Sequence, residues 1–258
     1  MQPDISPDKT NTLDGDSAEE VVHIEHLRKA FGTKEVLKDV SLHLNRAENL
    51  VVMGKSGTGK SVLIKCMVGL LDPDGGTIEV LGKNLNDIDE NGLIEVRKKI
   101  GFLFQSAALY DSMTVRENLE FPLRDTKDKK REDIDKDVEE VLTSVGLLDA
   151  IDKMPSELSG GMRKRIGLAR TLIQRPDIIL YDEPTTGLDP ITSREISTLI
   201  VDIQKKYKTA ALIITHDLDC ARITGNRVIL LYEGLVAAEG SYDELVNSQD
   251  ERVNAFFK

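Results

Sequence analysis

Residues Gly54-Lys55-Ser56-Gly57-Thr58-Gly59-Lys60-Ser61 fit the pattern G-x-x-x-x-G-K-[ST], and no other feature restricts the fold of this chain as tightly. The short apolar run Leu50–Met53 leads into the loop, and a helix-compatible stretch, Ser61–Leu70, leaves it. Strand, glycine-rich turn and helix together make a phosphate cradle. Glycines let the backbone approach phosphate oxygens, successive N–H groups point inward, and the helix presents its positive end. Average residue usage produces this match by chance in roughly one chain in a hundred of this length, and the flanking elements lower that further. In this reading Lys60 reaches the β- and γ-phosphates and Ser61 ligates Mg²⁺. A dinucleotide fingerprint fails here, because Val62 occupies its third glycine position.

The rest of the chain alternates. Val40, Leu42 and Leu44 interleave with Ser41, His43 and Asn45 as in a half-buried strand. The turn cluster Asp72-Pro73-Asp74-Gly75-Gly76 leads into Thr77–Leu81, and Ile100–Phe104 reads as a further strand. Between about 106 and 170 strand-like runs give way to charged helical segments such as Lys130–Val145. Strands return at Ile178–Tyr181, Ala210–Thr215, Val228–Tyr232 and Leu235–Ala238, separated by helical stretches such as Thr192–Tyr207. This order predicts an α/β fold with a largely parallel sheet, into which the helical block is inserted.

Charge and composition exclude several classes of partner. The net charge is −11, and six acids against one lysine in the first twenty residues supply five of those charges. A body this acidic opposes general nucleic-acid binding and docking on anionic lipid through a basic patch. It does not oppose an anion held in one local pocket. Tryptophan is absent and aromatics make up only 4% of the chain, so no base-stacking platform is expected. Cys66 and Cys220 lack neighbours at metal-ligand or disulfide-framework spacing. No run approaches the ~20 apolar residues of a membrane span, and the N-terminus is not a secretory signal. A cytosolic protein with a disordered acidic tail over residues 1–19 is expected.

Two further motifs gain meaning beside the loop. Ile178-Ile179-Leu180-Tyr181-Asp182-Glu183 is an apolar strand ending in two acids. Alone it fits a solvated strand end equally well. Facing a bound triphosphate, Asp182 can hold the Mg²⁺ shell and Glu183 can take the proton of the attacking water. Leu158-Ser159-Gly160-Gly161-Met162 precedes the helical stretch Arg163–Gln174, and read plainly Ser159 is its cap.

In their order and approximate spacing, the loop, Gln105, LSGG, Asp182-Glu183, Gly187-Leu188-Asp189 and His216 resemble the ABC-type ATPases over roughly residues 21–245. The resemblance implies a P-loop NTPase (RecA-like) core with a mostly parallel sheet, an antiparallel β subdomain, and an α-helical signature subdomain over about 106–170. The cassette would then span 20–245, followed by a helical tail over 246–258. It implies ATP and Mg²⁺, with Gly54 to Ser61 and Val62 around the nucleotide and Ser61, Gln105 and Asp182 around the metal. Glu183, His216, Gln105 and Lys60 carry the catalytic roles. Ser159, Gly160, Gly161 and Asp189 act in trans, on nucleotide held by the other subunit of a homodimer. Phe31 falls near the place of an adenine-stacking tyrosine, where a core role is almost as well supported. Met162 stands where glutamine is common, while His23, His26 and His43 have no motif partners.

One loop and one signature, with only about fifty residues between Gln105 and Leu158, favour a transporter subunit over a fused soluble factor or a long coiled-coil ATPase. The stretches Phe102–Leu119 and Met154–Met162 are similar to ATPases serving MCE-associated, Mla-type lipid transporters. That similarity implies a membrane permease docked near residues 105–121, an MCE lipid-binding protein in the same complex, and a peripheral position on the cytoplasmic face of the inner membrane. A regulatory role, or another cargo, is the alternative. Leu109, Tyr110, Met113, Val115 and Leu119 are read as an apolar-polar helical stretch at the docking surface, with Val115 and Leu119 equally suited to internal packing. Val253, Phe256 and Phe257 can share one side of a terminal helix that packs on the core by default or else on a partner.

Overall fold

Strands β1 (Glu20–Phe31) and β2 (Lys34–Asn45) form an antiparallel hairpin turning at Gly32, whose φ of 60° suits glycine. The computed structural model describes residues 19–124 and 129–257, so the expected disordered tail, residue 19 apart, lies outside the described residues. The chain continues through β3 (Asn49–Met53), α1 (Lys60–Met67), β4 (Gly75–Val80), β5 (Lys83–Asn84), α2 (Glu90–Lys98) and β6 (Ile100–Leu103). Then come α3 (Val115–Glu120), α4 (Arg131–Ser144) and α5 (Gly160–Leu172), the helical block between two sheet strands. The last part holds β7 (Ile178–Asp182), α6 (Pro190–Tyr207), β8 (Ala210–Thr215), α7 (Leu218–Thr224), β9 (Arg227–Tyr232), β10 (Leu235–Gly240), α8 (Tyr242–Val246) and α9 (Glu251–Phe257).

Among the described residues all strands join one sheet, in the order β5-β4-β1-β2-β10-β9-β3-β8-β7-β6. Pairings from β9 through β3, β8 and β7 to β6 are parallel, whereas β1 pairs antiparallel with both β2 and β4. The fold is therefore a mostly parallel α/β core with an antiparallel wing and an inserted helical block. Parallel strands covered on both faces must be apolar throughout. Successive side chains divide accordingly: Val51, Met53, Ile179, Tyr181, Ala211 and Ile213 enter one core, and Leu50, Val52, Ile178, Leu180, Leu212 and Ile214 the other. The first core takes in α3 to α7 and the terminal helices; the second takes in α1, Val96 of α2, and the wing.

Some elements differ from the sequence reading. β1 runs nearly unbroken from Glu20, because register shifts between Ile24 and Leu27 and again after Leu27 hide its period-two pattern. Helix α2 follows the N-cap Asp89, whose side chain accepts from Gly92 N at 2.7 Å. Helix α1 stops at Met67, shortly before Gly69 at φ 64°. The stretch 104–114 is not helical: Ala107 and Ala108 have φ of 62° and 48°, and α3 starts only after its N-cap Thr114, which forms a capping box with Glu117. Val115 and Leu119 are fully buried, so they pack the helical block and are unavailable for docking, whereas Tyr110 is 40% exposed. At the other end Val253 is buried and Phe257 meets Tyr242 edge-on, their centroids 5.5 Å apart.

Candidate nucleotide-binding site

β3 delivers the glycine-rich loop to the edge of the sheet, and the loop is tightly specified. A Cβ on Gly54 would lie 2.5 Å from the Leu231 carbonyl oxygen and 2.7 Å from Thr58 Oγ1. The Thr58 hydroxyl in turn donates to the Lys55 carbonyl at 2.9 Å. Gly57 and Gly59 hold φ of 81° and 104°, which other residues rarely adopt. Lys60, 7% exposed, curls back so that its ammonium donates to the carbonyls of Gly54 (2.7 Å) and Lys55 (3.0 Å). Burial pushes its pKa down, and the nearby Glu183 and Asp182 carboxylates oppose that shift.

The loop opens onto a cavity of about 670 Å³. Lys55, Ser56, Gly57, Gly59, Lys60, Ser61 and Val62 line it from one side, and Gln105, Asp182, Glu183 and His216 from the other. The second set is brought there by neighbouring parallel strands, since β7 and β8 pair in register with Asp182 opposite Ile214. Asp182 is half-buried, and burial followed by repulsion from Glu183 raises its pKa, with Lys60 and Lys164 opposing. Glu183 occupies the left-handed region at φ 50°, and its N–H donates to Ile214 O at 2.9 Å. That bend turns the carboxylate to His216, with Oε2 and Nδ1 2.8 Å apart, while the Thr186 hydroxyl lies 3.3 Å from the same oxygen. Asp217 fixes the segment after His216 by capping α7 and accepting from the Thr185 hydroxyl at 2.8 Å.

The signature residues lie elsewhere on the chain. Ser159 caps α5, its hydroxyl accepting from Met162 N at 3.2 Å. Asp189 caps α6, with Pro190 in the first helical position, and accepts from the N–H groups of Ile191 and Thr192, both at 3.0 Å. The Thr192 hydroxyl and backbone N–H lower the Asp189 pKa. The two caps touch, since a Cβ on Gly161 would fall 2.5 Å from Thr192 Cγ2. None of Ser159, Gly160, Gly161 or Asp189 lines the cavity.

Three more expectations are placed differently. Gly54 and Thr58 shape the loop but do not line the cavity. Phe31 also lies outside the lining, 49% exposed beside the Lys29 ammonium, and Val36 of β2 provides an apolar wall there. Sequence reasoning missed Val36, Thr186, Lys164, and Ala255 and Phe256 of α9, all but Lys164 at the cavity wall. Only Lys164 had a local signal, its place in the helix that follows LSGG. As a donor set, the Ser61 hydroxyl, Asp182 carboxylate and Gln105 amide oxygen suit Mg²⁺, a hard ion that takes few protein oxygens and fills its shell from phosphate and water.

A phosphate cradle at the end of β3, an acid pair at the end of β7 two strands away and a separate capped signature loop define an ATP-binding cassette of the ATPase class. The ABC transporter family profile matches residues 37–186, and the chain belongs to that family. It is 40% identical over 235 residues to the probable ribonucleotide transport ATP-binding protein mkl of Mycobacterium leprae, covering 91% of this chain and 68% of that one. It is 41% identical over 220 residues to the methionine import ATP-binding protein MetN of Brucella abortus, covering 85% and 59%. The chain thus spans about two thirds or less of the length of these relatives. Among solved structures, cbiO1 from Clostridium perfringens, part of the ABC transporter complex cbiONQ, superposes with a TM-score of 0.83 at 30% identity, covering 92% of this chain and 95% of that one. The dimeric cassette MJ0796 in a post-hydrolysis state bound to ADP and Pi superposes at 0.76 with 33% identity, covering 86% and 98%. Among the described residues no helix is long and apolar enough to cross a membrane.

Proposed function

We propose that two copies of this chain close around two ATP molecules and that closure drives a membrane permease. The observation that carries this reading is that Ser159, Gly160, Gly161 and Asp189 lie outside the cavity of their own chain. A two-fold dimer lets each chain complete the site of the other. In the closed pair Lys60 exchanges the Gly54 and Lys55 carbonyls for the β- and γ-phosphate oxygens. Glu183 takes a proton from the attacking water, His216 holds the γ-phosphate, and Gln105 orients the water. Mg²⁺, held by Ser61, Asp182 and Gln105, neutralises phosphate charge when bound. Residues 20–245 act as the cassette and 246–258 as its tail.

The permease would seat in the open groove between β6 and α5. Phe102, Phe104, Ala107 and Ala108 line it with Phe121 and Pro122, and Phe104 is 45% exposed. A permease element seated there would be moved by any shift of the adjoining Gln105. For cargo we favour lipid in an MCE-associated complex on the cytoplasmic face of the inner membrane. The support is the similarity of Phe102–Leu119 and Met154–Met162 to ATPases of that type. The relatives named for ribonucleotide and methionine transport supply the competing cargoes. Purification from native membranes in mild detergent tests the assignment: a permease and an MCE protein should accompany the wild type. The Tyr110 ring packs on Phe121 of the groove with centroids 4.6 Å apart, so Tyr110→Glu should shed both while ATP affinity holds. Recovery without any membrane partner refutes the transport reading.

A further inference from the structure

Lys164, in the second turn of α5, is only 6% exposed, and it does not line the nucleotide cavity. A buried ammonium needs partners that replace its lost hydration. It has them in two carbonyls: Nζ donates to Gln105 O at 2.5 Å and lies 3.4 Å from Glu183 O. Burial lowers its pKa, and the Asp182 and Glu183 carboxylates oppose that shift. The acid pair is therefore accompanied by two buried lysines. Lys60 holds the glycine-rich loop, and Lys164 reaches in from the signature helix.

Lys164 is the first of a row of contacts along one face of α5. A Cβ at Gly167 would come within 2.9 Å of Ala107 Cβ, so only glycine lets the helix sit this close. Arg170 Nη1 donates to Ala108 O at 2.6 Å, and Thr171 Oγ1 reaches Phe102 O at 3.4 Å. Positions 164, 167 and 170–171 recur at helical spacing. Together they grip the backbone from Phe102 to Ala108, including the two alanines at positive φ. Of this row, Lys164 alone extends the hold to Glu183, whose own φ is 50°.

We propose that Lys164 is a positioning residue for ATP hydrolysis. By holding the carbonyls of Gln105 and Glu183 from the signature helix, it aims the Gln105 amide and the Glu183 carboxylate at the nucleotide. It also ties their placement to that of the signature loop five residues upstream. The proposal rests on the ATPase reading above. A misplacement of about 1 Å can lower a rate ~100-fold without weakening binding.

The test measures kcat and KM for Mg-ATP, and equilibrium ATP affinity, on the full chain as wild type, Lys164→Met and Lys164→Arg. Methionine keeps much of the apolar stem but leaves both carbonyls without their donor, whereas arginine keeps a charged donor. Lys164→Met should lower kcat by about tenfold or more while KM and ATP affinity stay within about twofold. Lys164→Arg should recover a large share of the rate. Wild-type kcat in Lys164→Met overturns the proposal. So does a parallel loss of kcat and ATP affinity in both variants, which would mark Lys164 as generally structural. A wild type without ATP turnover takes down the ATPase reading and this proposal together. Wild-type turnover beside an unaffected Lys164→Met takes down only the role of Lys164.

Discussion

The glycine-rich loop and the signature loop offer the same chemistry, a glycine-containing turn at a helix N-terminus that can meet phosphate oxygens, yet folding treats them differently. At the first, Lys60, Asp182, Glu183 and His216 converge from α1, β7 and the segment after β8, so the cavity is assembled within one chain. At the second, Ser159 and Gly160 are exposed, and Gly160 faces Leu188 and Gly161 faces Thr192 of the same chain. Folding assembles the first site; in the proposed dimer, association completes the second. Changes in the cavity should therefore act on the isolated chain, and changes in the signature loop only on the pair.

The largest expected effect is on turnover. Glu183→Gln removes the proton acceptor but keeps the shape of the site, so the rate should fall by about 10²–10⁴ while ATP still binds. Light scattering should then find a stable dimer in ATP. A variant that hydrolyses ATP like the parent would remove Glu183 from its role. Next, Lys60→Ala should weaken ATP binding about tenfold or more, because charge-assisted contacts to phosphate disappear from the isolated chain. Ser159→Arg sharpens the contrast, since ATP affinity should stay within about twofold while turnover drops about tenfold or more for want of closure. Full activity in that variant would break the contrast altogether.

The smallest effect concerns the fold. Asp182 has its pKa raised by burial and then by Glu183, so its ionised form is held less favourably in the fold than in the unfolded chain. A raised carboxyl contributes stability below its unfolded pKa, near 4, and loses it as pH rises through the folded value. Asp182→Asn should therefore raise the Tm of the nucleotide-free protein at neutral pH. That gain should shrink as pH falls through the carboxylate range, while Mg-ATP binding worsens. A thermal melt at several pH values, with no change at neutral pH, would show that burial and Glu183 do not strain this carboxylate.

The parallel strands were legible because both faces of β3, β7 and β8 are buried, which leaves uninterrupted apolar runs. The loop and acid pair were legible because phosphate chemistry restricts residue types at fixed spacing. β1 was obscured by its register shifts, and Leu109, Tyr110 and Met113 read as part of a helix with Val115 and Leu119 because apolar residues at three- and four-residue spacing do not reveal the preceding positive φ of Ala107 and Ala108. That conformation depends on α5, which is remote in sequence. The place of Lys164 in the helix after LSGG is a local signal, but its carbonyl partners Gln105 and Glu183 come from remote segments. Phe31 belongs to no motif of fixed spacing, and its ring lies beside Lys29, outside the cavity lining.

The division of β3 between two cores reaches further than packing. Leu50 and Val52 belong to one hydrophobic cluster and Val51 and Met53 to the other, while its backbone pairs with β8 on one side and β9 on the other. No part of this strand can be released without opening both clusters and two ladders. Its amides should therefore exchange with deuterium only through global unfolding, among the slowest in the molecule. The strand that anchors the nucleotide loop is thus a point of low local compliance, so that displacements on ATP binding should be passed to the surrounding layers and not absorbed in that strand.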